Sequence, residues 1–338
     1  MLKKAMMLGL ALALALPMVL EAQEVRPTLA ELGPFPVNRI RTPPETDLPK
    51  YARITTTSYG FLKLTGNARS AGMGDAYSSV GNDLSAVFYN AAGITQIERY
   101  AVTASYLKWI VGSQMGTFAI GAKTNLATFA VNFAYFKTDE YEETTSAQPG
   151  GTGRMVTLGD MAAGVTIAKQ VTDKLSVGGN LRWVQEDLDL QSYSSIDIDF
   201  GTLFYTGYRS TRLGMSLRNL GGDKDVIGQK ARFPMVFNLS GAAEVYGNLG
   251  DPFSLTVAIE QMFFTDGINK YHFGAEAWVQ NMVALRGGYK TGYDSESWSL
   301  GAGLKQMLGD QTVTVDFSYS KAEAFDEYPI RLSLGLAF

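Results

Sequence analysis

From about residue 100 to the end, the chain is written in period two. Val313, Val315, Phe317 and Tyr319 alternate with Thr312, Thr314, Asp316, Ser318 and Ser320. Ile330, Leu332, Leu334, Leu336 and Phe338 alternate with Arg331, Ser333, Gly335 and Ala337. Ala127, Phe129, Val131, Phe133 and Tyr135 alternate with Thr128, Asn132 and smaller residues, and Leu175, Val177, Gly179, Leu181 and Trp183 with Lys174, Ser176, Asn180 and Arg182. Such alternation gives each strand one apolar and one polar face. The pattern predicts roughly fourteen strands, near 100–109, 115–122, 126–137, 157–170, 174–188, 194–206, 211–219, 234–246, 253–263, 270–279, 282–292, 296–306, 311–320 and 329–338. Their length suits a tilted membrane strand.

A soluble sandwich would alternate in the same way, so the links between strands carry the distinction. Thr124-Asn125, Val171 to Asp173, Gln280-Asn281 and Leu308 to Asp310 are short, whereas 138–156, 187–195, 220–233 and 321–328 are longer. Short periplasmic turns facing longer outer loops is the asymmetry of an outer-membrane barrel. No later stretch offers about 18 consecutive apolar residues, so a membrane-embedded chain must close its sheet. The predicted fold is all-β, a transmembrane antiparallel β-barrel over 100–338.

Two segments precede the barrel, behind a targeting sequence. Lys3 and Lys4 open the chain, Ala5 to Leu20 carries no charge, and Ala22 offers a cleavage site, so 1–22 reads as a signal peptide. Residues 23–52 hold Pro27, Pro34, Pro36, Pro43, Pro44 and Pro49, which predicts an extended periplasmic leader, either a spacer or a docking peptide. Residues 53–99 are rich in small residues broken by turn residues, and are neither clean strand nor clean helix. They are expected to pack closely against other backbone as a hatch in the lumen, with Asn67, Arg69, Asp75, Asn82, Asp83 and Asn90 bonded to polar wall residues. A cap below the barrel is the other possibility.

Composition narrows the function classes. The 338 residues contain no cysteine and one histidine, His272, which excludes a disulfide framework, thiolate chemistry and multi-histidine metal sites. Only 18% of residues are charged, and the net charge of −4 becomes −5 once two lysines and one glutamate leave with the signal peptide. No basic face for nucleic acid is indicated. Thirty-six glycines and 12% aromatics suit tight turns and interfacial girdles.

Phe61-Leu62-Lys63, Asn67 to Ala76 (with Gly72, Gly74 and Asp75) and Asn90-Ala91-Ala92-Gly93 resemble the N-terminal region of the PorV/PorQ family, a branch of the FadL-like barrels. That family reads Asn-Pro-Ala-Gly where this chain has Ala91. The ending from Tyr328 to Phe338 is also similar; between the two ends the likeness is architectural. The resemblance implies a fourteen-stranded barrel with an N-terminal hatch, and work alongside type IX secretion, where such members carry or bind secreted substrate proteins. It also implies that Phe338 is read by the barrel-assembly machinery. Expected partners are outer-membrane lipid, that machinery, secretion-system proteins and their substrates. The alternative expectation is a FadL-like channel for small hydrophobic molecules, with a plain porin third.

Little catalytic chemistry is expected, and no cofactor. His272 and Glu276 share an inward face, but no serine or aspartate stands out as a partner, so a polar wall histidine is expected. Asp187, Asp189, Asp197 and Asp199 could bind calcium near the rim, or form a solvated cluster. Asp139, Glu140, Glu142 and Glu143 read as a solvated acidic loop. Gly72 and Gly74 lack the lysine of a phosphate loop, and close packing explains them better.

Overall fold

The computed structural model describes residues 57–226, 229–293 and 296–338. The signal peptide and leader expected over 1–52, and the start of the segment expected over 53–99, lie outside the described residues.

Among the described residues eighteen strands follow residue 99. They are β1 (Tyr100–Lys108), β2 (Gln114–Lys123), β3 (Thr128–Lys137), β4 (Tyr141–Glu142), β5 (Met155–Val156), β6 (Gly159–Gln170), β7 (Leu175–Leu188), β8 (Gln191–Tyr205) and β9 (Arg212–Gly221). Then come β10 (Lys224–Val226), β11 (Gln229–Ala231), β12 (Val236–Tyr246), β13 (Phe253–Phe264), β14 (Lys270–Val279), β15 (Val283–Thr291), β16 (Glu296–Leu308), β17 (Gln311–Ala322) and β18 (Ile330–Ala337). Fourteen of them pair antiparallel with their neighbours and close through β1 and β18, while β4–β5 and β10–β11 are hairpins within two loops. The closing seam runs from Ala101↔Ala337 to Lys108↔Ile330, so no edge is left unpaired in hydrocarbon. The Tyr100 and Phe338 rings meet 5.7 Å apart at its end.

The barrel is polar inside and apolar outside. Phe118, Ile120, Val131, Val165, Leu285 and Leu334 are exposed outwards, whereas Asn132, Asn180, Glu260, Glu276, Arg286 and Arg331 are buried inwards. Aqueous burial logic is inverted because lipid is the outer solvent and the lumen supplies polar partners. Aromatic residues crowd the two ends of this belt. Trp298, Tyr319 and Tyr328 stack in succession at one end, with centroids 5.9 and 5.0 Å apart, and Phe129 joins Tyr100 and Phe338 at the other. Such girdles sit at the headgroup level. This is a transmembrane barrel of the outer-membrane type.

All fourteen barrel strands fall where the alternation predicts them. One link differs. The expected loop over 187–195 is a two-residue turn, Asp189-Leu190, because β7 and β8 keep pairing out to Leu188↔Gln191. Asp189 takes the turn's left-handed conformation at φ 62, one that aspartate tolerates better than most residues. The longest links, over 138–158 and 222–235, lie opposite the end where β1 begins and β18 stops, which makes the latter end periplasmic.

Candidate functional site: the occupied lumen

Residues 57–99 run down the inside of the barrel, from its outer end to the start of β1. At the top, Thr57 bridges Arg232 in the outer loop after β11, and Ser58 donates its backbone N–H to the Arg232 carbonyl at 3.1 Å. Tyr59, Phe61 and Leu62 pack with Leu107, Met115, Val184 and Phe233 in an apolar cluster of the outer half. At the bottom, Leu84, Val87, Ile94 and Ile97 pack with Ala101, Ala119, Ala130 and Ala168. Small wall residues leave room for the bulk of the inner segment there.

The middle is where backbone meets backbone. A helix of five residues, Ala68–Gly72, is capped by Asn67, whose side chain accepts the Ser70 N–H at 3.0 Å. Gly74 and Asp75 follow at φ 61 and 58 and turn the chain against β14–β16. A Cβ on Gly288 would stand 1.9 Å from the Gly74 nitrogen, and one on Gly274 would stand 2.4 Å from the Met73 oxygen. Neither site has room for any side chain. Gly72 meets Gly301 in the same way, and Gly93 packs on Ala86 and Gly81 within the segment.

Charges fasten this contact. Arg69 forms a two-pronged pair with Glu276 of β14, both bonds 2.8 Å, and also reaches Asn82 at 2.7 Å and Asp83 at 2.8 Å. Glu276 is shared with Arg286 of β15 at 2.7 Å, and Arg286 continues to Asp316 of β17 at 2.7 Å. Asp75 contacts the Lys290 ammonium, which also binds Glu296 at 2.7 Å. Burial alone would raise the Asp75 carboxyl, but the Lys290 and Arg331 cations outweigh it and hold it down at about 2. Asn90 donates to the carbonyls of Ser78 at 2.8 Å and of Thr202 in β8 at 2.9 Å. Glu260 of β13 accepts from the backbone of Tyr77 and Ser78 and from the Ser78 hydroxyl, at 2.7–3.0 Å.

Three of the six expected wall contacts therefore run to the wall: Arg69, Asp75 and Asn90. Asn67, Asn82 and Asp83 instead bond within the inner segment, where Asp83 also holds the Tyr77 hydroxyl at 2.6 Å. Local capping takes Asn67 and Asp83, which accept the Ser70 and Ser85 N–H groups, while Asn82 accepts from Arg69 of the same segment. The wall partners themselves sit at inward positions of alternating strands, often opposite a complementary group, as in Glu276↔Arg286 and Arg182↔Asp197. Charge at the inward phase of a strand is the signal that would have marked them.

The other candidates separate. His272 bonds Tyr293 through Nε2 at 2.8 Å, while Glu276 belongs to the arginine network, so the two form no catalytic pair. Asp197 and Asp199 neutralise Arg182, Asp189 binds Arg154, and Asp187 accepts from Gln185. The aspartates are thus spent on cations and an amide. Among the described residues no acidic or histidine group is arranged to hold a metal ion. Glu142 accepts the Gly153 N–H and Glu143 pairs with Arg154, while Asp139 and Glu140 are exposed in the same outer loop.

Above the helix a cavity of about 240 Å³ remains between the inner segment and the wall. Leu64, Tyr89, Trp109, Met262 and Tyr293 give it an apolar side. Cations and carboxylates line the rest.

The geometry is that of a closed fourteen-stranded outer-membrane barrel threaded by its own N-terminal segment. Solved structures carry the same architecture. The monoaromatic hydrocarbon channel CymD aligns at TM-score 0.57 with 14% identity, covering 81% of this chain and 97% of that one. The Pseudomonas putida toluene transporter TodX aligns at 0.58 with 12% identity over 81% and 97%. A Pseudomonas aeruginosa FadL homologue aligns at 0.50 with 13% identity over 85% and 99%. The chain thus shares its barrel fold with these structures. No family model and no curated protein matches the chain.

Proposed function

We propose that this protein is a non-enzymatic outer-membrane channel that admits small, largely hydrophobic molecules past its inner segment. The observation that carries this reading is a FadL-like barrel whose lumen is occupied by residues 57–99 yet keeps an aromatic-lined cavity between them and the wall. Trp109, Tyr293 and Met262 line that cavity together with Asp75 and Lys290, so a ligand held there rests against a charged contact between segment and wall. Passage then requires the segment to shift, which makes it a hatch. The test is uptake of labelled toluene by cells that express the protein and by cells that lack it. Faster uptake with the protein is expected. Equal uptake would remove the reading.

A secretion role of the PorV/PorQ kind is the second reading. Besides the motif resemblance, it is favoured by apolar side chains on the outer loops. Leu190 is 82% exposed at the β7–β8 tip, with Tyr141 and Met155 exposed on the β4–β5 hairpin. Arg154 and Asp189 tie the two loops together at 2.6 Å. A protein partner would seat on this rim. Substituting Leu190, Tyr141 and Met155 by serine would then abolish co-purification of secreted proteins without altering toluene uptake.

A further inference from the structure

We infer that the outer lumenal cavity is a binding site for a small organic carboxylate, held by Arg218 and Lys270 against an aromatic wall. The inference rests on the channel reading and names its ligand class. It starts from a charge imbalance. Five cations line the cavity, Lys63, Arg218, Lys270, Lys290 and Arg331, against three carboxylates, Asp75, Glu260 and Glu296.

The pairing is more informative than the count. Lys63 is taken up by Asp266, and Lys290 by Asp75 and Glu296. Arg331 donates to the Thr65 carbonyl at 2.8 Å and to Ser320 at 3.1 Å, with Glu296 at 4.0 Å. Arg218 is different. It is 8% exposed, its Nη1 donates to the Phe88 carbonyl at 2.6 Å, and its Nε has no partner. Among the described residues no carboxylate lies within ion-pairing distance of it. Among the described residues Lys270 likewise makes no direct ion pair, and stands over two aromatic faces, Tyr293 at 3.6 Å and Phe264 at 5.2 Å. Glu260, the nearby carboxylate on the wall, is already satisfied by three donors from the inner segment.

Arg218 feels the charge of Glu260 across the cavity but makes no direct ion pair with it, and its unfilled buried Nε is a donor that an anion brought from outside would satisfy. The free Nε and the planar fork of Arg218 suit a carboxylate, which accepts in two places. Tyr89, Trp109, Met262 and Tyr293 would cover the ligand's apolar body. The volume of about 240 Å³ is below the roughly 300–1,000 Å³ of drug-sized sites. It therefore fits a compact acid and excludes a long chain lying fully inside. Benzoate has the required parts.

The test is calorimetric titration of the purified, detergent-solubilised full chain with benzoate, and with toluene as the neutral counterpart of the same ring. Benzoate is expected to saturate one site, with Arg218→Gln lowering its affinity relative to that of toluene about tenfold or more. Lys270→Gln should weaken benzoate several-fold, and serves if Arg218→Gln fails to give heat-modifiable barrel. Absence of saturable benzoate binding, or equal benzoate affinity in the wild type and the folded variants, would overturn the inference. The two readings fail separately. Toluene uptake without benzoate binding sinks this site and spares the channel. Benzoate binding without uptake of either molecule spares the site and sinks the channel.

Discussion

At the scale of single residues, the inner segment is held by a few buried charges whose partners lie on the wall. Arg69 is the hub, since it joins Glu276 of β14 to Asn82 and Asp83 of the segment. Removing one partner of a buried pair costs up to roughly 3–5 kcal/mol, and less here because Glu276 keeps Arg286. Arg69→Ala should therefore unseat the segment while the barrel stays closed through its backbone ladder. A cysteine placed at Ser85, which is 2% exposed, should then react with a bulky thiol reagent at least about tenfold faster than in the Arg69 parent. Unchanged labelling would show that Arg69 is not the hub. Asp75 adds a pH dependence. Its carboxyl is held at about 2, below the ~3.9 of an unfolded aspartate, so its contribution is complete above about pH 4 and is lost as pH falls towards 2. Conductance across a planar bilayer should stay low down to about pH 4 and rise below it. Asp75→Asn should remove that acid step, and a step unchanged in this variant would assign it elsewhere.

At the scale of elements, legibility in the sequence divides sharply. The strands could be read because lipid on one side and polar lumen on the other force a strict period of two, visible in stretches such as Val313 to Tyr319. The β7–β8 tip was misjudged because Asp187 to Ser195 looks like loop, yet both strands continue paired beyond the membrane belt. The inner segment showed its small residues and its polar ones, but not their partners. Asn67 and Asp83 were legible as polar and turned out to be caps. Arg69 and Asp75 were legible, but Glu276 and Lys290 lie more than 200 residues away, and no local pattern links them. The glycine contact is similar, since Gly74 carries meaning only with Gly288 opposite. Gly288→Val should expel the turn at Gly74 without breaking the β14–β15 pairing. Heat-modifiable barrel should still form, with Ser85→Cys labelled rapidly. Slow labelling in that variant would mean that the contact is looser than the geometry implies.

At the scale of the whole molecule, the account is of a barrel that is permanently closed in its wall and conditionally closed in its lumen. The lipid-facing belt and the sealed β1–β18 seam place it in the membrane. The segment over 57–99 fills the lumen and leaves a cavity against the wall, which under the proposed function is where a ligand pauses. Movement of that segment is the central claim, and a covalent lock tests it most directly. The chain has no cysteine, so a pair can be introduced without interference. A Cβ on Gly66 of the segment would lie 3.7 Å from the Thr117 Cβ of β2, the spacing of a disulfide. Toluene uptake into proteoliposomes carrying Gly66→Cys with Thr117→Cys should be fast when reduced and fall to the protein-free rate when oxidised. Equal uptake in the oxidised and reduced forms would contradict a moving hatch.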